Sequence, residues 1–241
     1  MAAPLLQTQD LSMHFGGVRA VRHVNFSLAE GELRCLIGPN GAGKSTFFKM
    51  LTGQLEPTHG QVLFRGQDIS HAHAHDIARL GIGIKTQVPS VFDGLSVREN
   101  IWLAASRLHS GEKAKRAVDE MLERVGMTEA AGRLVGQLAH GQRQWVELGV
   151  VLSTDPDLVL LDEPAAGMTD QEVLRSVELV RYINKTKALI VVEHDMQFIR
   201  MIATKVTVFN QGAVLIEDNV EAIMHNPTVR DVYLGKQAAA A

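Results

Sequence analysis

Residues 38–46 have the sequence Gly38-Pro39-Asn40-Gly41-Ala42-Gly43-Lys44-Ser45-Thr46. This is a complete G-x-x-x-x-G-K-[ST] pattern, and the flanking sequence supplies the structural context that the pattern needs. The apolar residues 31–37 before it predict a buried strand, and residues 47–52 after it predict a short helix that ends at Gly53. A strand, a glycine-rich turn and a helix in this order predict a loop that wraps around phosphate groups.

Each residue type in this phosphate loop (residues 38–46) has a physical purpose. Glycines let the backbone turn sharply and approach phosphate oxygens without a Cβ in the way. The loop amides and the helix N-terminus then face the anion. We expect Lys44 to reach the β- and γ-phosphates and the Ser45 hydroxyl to bind Mg²⁺. The alternative, a glycine-rich turn without a ligand, does not require Gly-Lys-Ser-Thr in register behind a strand.

Length and composition exclude several classes of protein. The chain has 241 residues, 46% hydrophobic and 21% charged, which suits one large α/β domain or a domain with an inserted subdomain. Its net charge of −3, without a basic run, argues against a nucleic-acid groove. The single cysteine, Cys35, excludes an internal disulfide and is expected to be a small buried side chain. Because there is no apolar run of spanning length and no signal-peptide pattern, we expect a soluble cytoplasmic protein.

Hydrophobic patterns place strands at both ends of the chain and helices in the middle. Residues 5–30 alternate apolar and polar side chains, as in antiparallel strands, and residues 206–216 predict a hairpin that turns at 210–212. The continuous apolar runs 158–161 and 188–192 predict strands of a parallel sheet that is covered on both faces. Residues 90–150 contain helical periodicity, with helices predicted from about 112 and from 141, but no convincing strand. The simplest architecture is a mixed-sheet domain with a helical subdomain inserted into it.

Polar residues that follow the predicted strands are the candidate catalytic groups. Asp162 and Glu163 come directly after the run 158–161, where acidic residues lie at the ligand edge of a parallel sheet. Asp162 is expected to hold Mg²⁺ through water, and Glu163 to orient or deprotonate a water that attacks the γ-phosphate. His194 ends the next apolar run and is placed to contact that phosphate or water. Gln87, just before the helical insert, is placed to touch Mg²⁺ or water.

A second anion site is predicted at the start of a helix far along the chain. The five residues Leu138-Ala139-His140-Gly141-Gln142 precede a helix that carries Trp145 and Leu148. Backbone amides at a helix N-terminus attract anions. Because the chain already has one phosphate loop, this segment suggests contact with a nucleotide bound to another subunit.

Together these motifs resemble those of the ATP-binding subunits of ABC transporters, over essentially the whole chain. The phosphate loop resembles the Walker A motif, residues 158–163 the Walker B motif, Gln87 the Q-loop, residues 138–142 the signature segment and His194 the switch histidine. The resemblance implies an α/β fold: a P-loop NTPase (RecA-like) core with an N-terminal antiparallel β subdomain and an inserted helical subdomain. It implies a single ATPase domain over 1–241, with the core at about 1–88 and 155–241 and the insert at about 89–154.

The same resemblance implies a function and a set of partners. Phe15 falls at the aromatic position that stacks on adenine, and the cofactors are ATP and Mg²⁺. The expected partners are a second ATPase subunit, identical or paralogous, the transmembrane permease subunits and, indirectly, a periplasmic solute-binding protein, with no nucleic acid. The chain would lie on the inner face of the plasma membrane, and residues 87–100 would pass its motion to the permease.

Several phrases resemble one branch of the family. Residues 15–21, 164–168 and 192–196 resemble subunits for branched-chain amino acid uptake, whereas residues 140–145 and 168–170 resemble urea-transport relatives more closely, so urea or a short-chain amide is preferred. An export or lipopolysaccharide-extraction ATPase, and a soluble P-loop kinase or nucleic-acid-associated ATPase, remain as alternatives. Two departures from the family pattern are Ala139, where the signature serine is usual, and Thr169, where the D-loop aspartate is usual.

Overall fold

Two β-sheets organise the protein in a computed structural model that describes residues 3–87 and 90–234. The first sheet is antiparallel, with strand order β2-β1-β4-β5: β1 (Leu6–Phe15), β2 (Val18–Leu28), β4 (His59–Phe64) and β5 (Gln67–Asp68). The second has six strands in the order β10-β9-β3-β8-β7-β6: β3 (Leu33–Ile37), β6 (Ile82–Lys85), β7 (Leu158–Asp162), β8 (Ala188–Val192), β9 (Lys205–Asn210) and β10 (Ala213–Asn219).

The six-stranded sheet is parallel except at one edge. β3 runs parallel to β8 and β9, and β7 runs parallel to β6 and β8. All five side chains of β3 and of β8 are buried, as expected for strands covered on both faces. The predicted parallel strands and the hairpin of β9 and β10 are both confirmed. The segments after β3, β6, β7 and β8 therefore emerge at the same edge of the sheet.

Helices surround the sheet, and several of them lie in the sequence between β6 and β7, two strands that are paired in the sheet. Six of them are α1 (Lys44–Leu51), α2 (Ala74–Arg79), α6 (Asp170–Asn184), α7 (Met196–Ile202), α8 (Val220–His225) and α9 (Pro227–Leu234). Between β6 and β7 lie α3 (Val97–Ala105), α4 (Gly111–Arg124), a 3₁₀ turn (Val135–Gln137) and α5 (His140–Leu152). The described residues from 90 to 152 contain no strand, only an isolated bridge between Ser96 and Leu134.

The start of α5 differs by one residue from the prediction. The helix begins at His140 rather than at Gly141, because Ala139 has the extended backbone of an N-cap residue. The amphipathic pattern of the helix predicted from about residue 112 is confirmed in α4, whose buried residues Ala114, Val118, Met121 and Leu122 share one face.

Two apolar clusters cover the two faces of the parallel sheet. Alternate residues of β3 point to opposite faces. Cys35 belongs to the cluster that contains Trp145 of α5 and other residues of the insert, whereas Leu36 belongs to the cluster that contains Phe47 of α1 and residues of β1 and β2. Cys35 is buried, as predicted. In the described part of the chain, no helix has the length and apolar character to cross a bilayer.

Candidate nucleotide site

The phosphate loop connects β3 to α1, as the sequence predicts. Gly38 follows β3 directly, and α1 begins at Lys44. Gly43 has a φ of +100°, and a Cβ at this position would come within 2.5 Å of the carbonyl oxygen of Ala20. Since no larger residue fits there without displacing backbone, this glycine fixes the entry into α1.

The loop lines a cleft of about 520 Å³ with residues from the antiparallel sheet and from the end of β7. Residues 40–46 form one wall, and Glu163 contributes from beyond β7. Phe15, the last residue of β1, lines the same cleft and is 48% exposed. Gly38 and Pro39 lie behind the wall, where their carbonyl groups contact Lys44. The nine loop residues and Phe15 thus surround or support one cleft.

Lys44 is held in place by the loop itself. Its Nζ donates to the carbonyl oxygens of Gly38, at 2.5 Å, and of Pro39, at 3.0 Å. Burial lowers the pKa of Lys44, while Glu163 and Asp162 oppose that shift. A cation that is partly removed from water and held beside an open cleft is suited to bind a phosphate anion.

Three predicted catalytic residues from three different loops meet at the edge of this cleft. Gln87, after β6, donates from Nε2 to Oε2 of Glu163 at 3.0 Å. His194, after β8, places Nδ1 3.3 Å from Oε1 of Glu163. Glu163 is therefore the centre on which both other side chains converge.

The backbone of Glu163 has a conformation that is uncommon for a residue with a side chain. Its φ is +46°, and its amide donates to the carbonyl oxygen of Val192 on the neighbouring strand, at 2.9 Å. Residues held in such sparsely populated regions cluster at functional sites, because the surrounding structure has to impose them. The turn at Glu163 directs the chain out of the sheet directly after Asp162.

The predicted metal-binding residues provide oxygen donors of the kind that Mg²⁺ prefers. Asp162 ends β7, Ser45 lies in the first turn of α1, and Gln87 contributes an amide oxygen. Burial and the neighbouring charge of Glu163 raise the pKa of Asp162, and Lys85 and Lys49 counteract this. Among the described residues there is no cluster of three or more His, Cys, Asp or Glu side chains able to hold a metal. One carboxylate and one hydroxyl fit a cation that takes its other ligands from phosphates and water.

The signature segment lies away from this cleft, against the loop that follows Glu163. None of residues 138–142 is among the described residues that line the cleft. Instead, Nε2 of Gln144 on α5 donates to the carbonyl oxygen of Ala166 at 3.2 Å and also lies 3.0 Å from Nε2 of His140. A Cβ on Gly141 would lie 2.7 Å from Oε1 of Glu172 on α6. Within one protomer, the signature segment therefore packs on the loop after β7 and not on the phosphate loop.

Both departures from the family pattern occupy helix N-cap positions. Ala139 caps α5 without a side-chain hydrogen bond, and its amide donates to Oε1 of Gln142 at 3.3 Å. Thr169 caps α6, where its hydroxyl accepts from the amide of Glu172 and the Glu172 carboxylate accepts from the amide of Thr169. Thr169 thus has a local structural purpose that an aspartate in its place would share.

Sequence reasoning did not identify two arginines that line the cleft. Arg19 and Arg22 come from the start of β2, on the wall that also carries Phe15. Both arginines could have been predicted from their closeness in sequence to Phe15, because a hairpin brings both of its strands to the same wall. Their charge complements that of a triphosphate.

The fold and this cleft define a P-loop nucleoside triphosphatase. The strand order, the loop between β3 and α1, and the carboxylates at the end of β7 all belong to that class. A sequence model of the ABC transporter family matches residues 21–166. The chain belongs to the ABC transporter family.

Sequence relatives of the chain belong to the same family. The high-affinity branched-chain amino acid transport ATP-binding protein LivG of Escherichia coli (strain K12) is 36% identical, over 98% of this chain and all of its own length. The corresponding protein BraF of Pseudomonas aeruginosa is 34% identical with the same coverage. The chain is accordingly an ATP-binding subunit of an ABC transporter, which hydrolyses ATP to power transport.

Solved structures show the same fold. An ATP-binding cassette of an ABC transporter in its ADP conformation matches with a TM-score of 0.87 and 25% identity, over 98% of this chain and 100% of its own. CbiO1 of Clostridium perfringens, described as part of the ABC transporter complex cbiONQ, matches with a TM-score of 0.83 and 27% identity, over 98% and 96% of the two chains. The predicted P-loop core with its antiparallel and helical additions is confirmed.

Proposed function

We propose that this subunit binds ATP and Mg²⁺ in the cleft of the phosphate loop and that Glu163 activates the attacking water. The observation that carries the proposal is the convergence of Gln87 and His194 on Glu163, with oxygen contacts of 3.0 Å and 3.3 Å. Residues that hold a general base from two sides fix its direction, and positioning of this kind supplies much of the catalysis in phosphoryl transfer.

Each residue of the cleft has an assigned part. Lys44 and the amides of residues 40–46 bind the phosphates, and Phe15 stacks on the adenine. Ser45, Asp162 and Gln87 would hold Mg²⁺, which neutralises charge on the β- and γ-phosphates. Glu163 accepts a proton from water, while His194 contacts the γ-phosphate or the water.

Two subunits are needed for a complete site in this proposal. The signature segment carries the N-terminus of α5, a helix of 13 residues, but packs on the loop after Glu163 of its own protomer. Its amides are therefore available to the nucleotide of a second subunit, identical or paralogous, in a head-to-tail pair. Opposed helix N-termini and triphosphates would draw the subunits together, and loss of the γ-phosphate would release them.

The helical insert is the proposed docking site for the permease. Phe92, Trp102 and Leu103 are large apolar side chains exposed on α3 and on the loop before it, Phe92 by 63%. Exposed apolar patches of this kind mark protein contacts. We place the subunit on the inner face of the plasma membrane, with residues 87–100 passing motion to the permease; residues 88 and 89 of that segment lie outside the described part.

The domain division follows from the same proposal. One ATPase domain spans 1–241, with its core at about 1–88 and 155–241 and the helical insert at about 89–154. The helices of the insert lie between β6 and β7, which are adjacent in the sheet, so the insert leaves and rejoins the core at neighbouring points. This arrangement supports rotation of the insert relative to the core.

Branched-chain amino acids are the proposed solutes for import, because LivG and BraF carry that description over their full lengths. Urea or a short-chain amide is the second candidate, favoured by the resemblance of residues 140–145 and 168–170. A periplasmic solute-binding protein would supply the solute. Reconstitution of this subunit with the membrane permease that co-purifies with it, followed by uptake of radiolabelled leucine and urea into vesicles, separates the two. Uptake of neither solute would reject the import proposal.

Substitution of the proposed base tests the catalytic assignment. Glu163→Gln keeps the shape and the contact with Gln87 but cannot accept a proton. We expect an ATP-bound dimer, visible by size-exclusion chromatography with ATP, and turnover lowered by about 100-fold or more. Turnover near the wild-type rate would reject Glu163 as the base.

A further inference from the structure

Beneath the catalytic residues lies a set of buried charges that the ATPase mechanism above does not use. Lys85, Glu147 and Glu193 are 1%, 2% and 2% exposed. Burying a charge is costly unless it is paired or hydrogen-bonded, so three such residues near one site call for a physical reason. Each of them lies on, or next to, an element that leads to a catalytic residue.

Glu193 binds the backbone of two catalytic loops at once. Its Oε1 accepts from the amide of Ala165, two residues after Glu163, at 3.2 Å. Its Oε2 accepts from the amides of His194 at 2.9 Å and of Asp195 at 3.3 Å. One carboxylate therefore joins the loop of the general base to the loop of the histidine.

Glu147 makes the equivalent contact to the third loop. It lies on α5, the helix that begins in the signature segment, and its Oε1 accepts from the amide of Ser90 at 2.9 Å. Burial raises the pKa of Glu147, while the backbone amides of Ser90 and Thr86 and the charge of Lys85 act in the opposite direction. The loop that carries Gln87 is thus held by a side chain from the signature helix.

Lys85 lies on the face of the sheet that packs against α5. It is the last residue of β6 and shares a sheet face with Gly83, where a Cβ would meet Val151 of α5 at 2.7 Å. Val151 is one helical turn beyond Glu147, so Lys85 faces Glu147. Burial lowers the pKa of Lys85, and the carboxylates of Glu147, Asp162 and Glu193 oppose this shift. Its one hydrogen bond among those described is a long one, 3.4 Å, to the carbonyl oxygen of Thr86.

We propose that Lys85, Glu147 and Glu193 form a buried charge network that positions the loops of Gln87, Glu163 and His194 relative to the signature helix. The three members are positioning residues, because they contact the backbones of the catalytic loops and not the substrate. Through this network a displacement of α5, such as docking of a partner nucleotide on the signature segment would cause, moves the loop of Gln87. The assignment rests on the catalytic roles proposed above.

A series of methionine substitutions tests the network, since methionine keeps the unbranched shape without charge. The variants are Lys85→Met, Glu147→Met and Glu193→Met. The control is Glu217→Met, which removes a carboxylate that pairs with the buried Arg34 at the opposite edge of the sheet. All four are compared by hydrogen exchange of individual segments and by steady-state ATP hydrolysis.

The expected exchange pattern is specific to each variant. Glu193→Met loses protection at the amides of Ala165 and His194, and Glu147→Met loses it at Ser90, because each removes an acceptor. Lys85→Met, which removes no acceptor, loses protection at all three amides, since the two carboxylates then lack their shared counter-charge. Protection of β3 and α1 stays at the wild-type level, whereas the control variant affects the opposite edge of the sheet.

The kinetic expectation separates positioning from general loss of stability. The three network variants should lower kcat by about 10- to 100-fold, as small displacements of catalytic groups do, and leave KM for ATP within about threefold because the phosphate loop is untouched. The control should keep kcat. Two results for Lys85→Met would overturn the proposal. One is normal protection of the amides that donate to Glu147 or of those that donate to Glu193, and the other is an unchanged kcat.

A double variant tests the proposal if Lys85→Met does not fold. The double variant Lys85→Met, Glu147→Met removes one charge of each sign and should still lose protection at Ala165 and His194; retained protection there overturns the proposal. The exchange measurement does not depend on the catalytic roles. If Glu163→Gln keeps wild-type turnover while the exchange pattern holds, the proposed base is wrong and the network stands.

Discussion

The aromatic residue at the mouth of the cleft allows a quantitative test of how the nucleotide is held. Phe15 is the last residue of β1, lines the cleft with the phosphate loop and is 48% exposed. Stacking of a base on an aromatic side chain contributes about 1–3 kcal/mol. Since about 1.4 kcal/mol corresponds to a tenfold change in affinity, Phe15→Ala should raise the Kd for ATP by roughly 5- to 150-fold.

The structure also predicts what this substitution leaves unchanged. Because half of the Phe15 side chain is already in water, its loss should change the free energy of unfolding by no more than about 0.5 kcal/mol. The affinity for ADP should fall by the same factor as the affinity for ATP, since both nucleotides carry the base. Inorganic tripolyphosphate, which has no base, should compete for the phosphate loop equally well in the variant and in the wild type.

Titration calorimetry with ATP, ADP and tripolyphosphate measures the three dissociation constants, and unfolding in urea measures the stability. Leu174→Ala is the control, because Leu174 is also exposed but lies on α6, outside the residues described around the cleft. A Kd for ATP within twofold of the wild type would refute stacking on Phe15. An equal loss of affinity for tripolyphosphate would also refute stacking, since it would show that the substitution distorts the phosphate loop.

Three other substitutions or treatments follow from the same geometry. Lys44→Ala removes the buried cation beside the cleft and should abolish ATP binding or hydrolysis, measured by calorimetry and phosphate release; hydrolysis at the wild-type rate would contradict its role. Iodoacetamide should not label Cys35 in the native protein, because burial raises the pKa of its thiol, and should label it after denaturation. Ala139→Ser adds a hydroxyl able to donate to a partner's γ-phosphate and to cap α5, so hydrolysis in the assembled complex should rise by about 10- to 100-fold, as expected for a charged hydrogen bond of about 1.5–3 kcal/mol; an unchanged rate would remove the idea that Ala139 weakens the composite site.

Those features that depend on local sequence patterns were predictable. The phosphate loop needs glycine at fixed positions and a helix directly after it, so residues 31–52 predict a strand, a loop and a helix, and β3 and α1 confirm the strand and the helix. The runs 158–161 and 188–192 are apolar without alternation, which indicates strands covered on both faces and therefore a parallel sheet. Because the carboxyl ends of parallel strands share an edge, the meeting of Glu163 and His194 followed from that architecture, whereas β6, the strand that leads to Gln87, was not predicted.

The start of α5 was less accessible to sequence reasoning. Helix boundaries depend on the backbone angles of a single residue, and Ala139 offers no capping side chain to mark the position. The sequence predicts the helix from Gly141, whereas in the structure Gly141 lies within the first turn and packs close to Glu172. The same packing explains why the residue is glycine: a Cβ there would meet the Glu172 carboxylate.

The buried charges could not be predicted from sequence at all. Lys85 ends the short strand β6, where a lysine ordinarily extends to water. Glu147 lies in the middle of a helix, where a glutamate is ordinarily exposed. What buries them is the packing of α5 on β6, two elements that lie far apart in the sequence, so no local period encodes their contact. Glu193 is likewise one of three successive polar residues after β8, and only the register of β7 against β8 decides that it, and not His194 or Asp195, turns inward to bind the Ala165 amide. Charges placed by tertiary contact in this way cost free energy to bury, and such a cost is sustained most readily where a catalytic geometry depends on it.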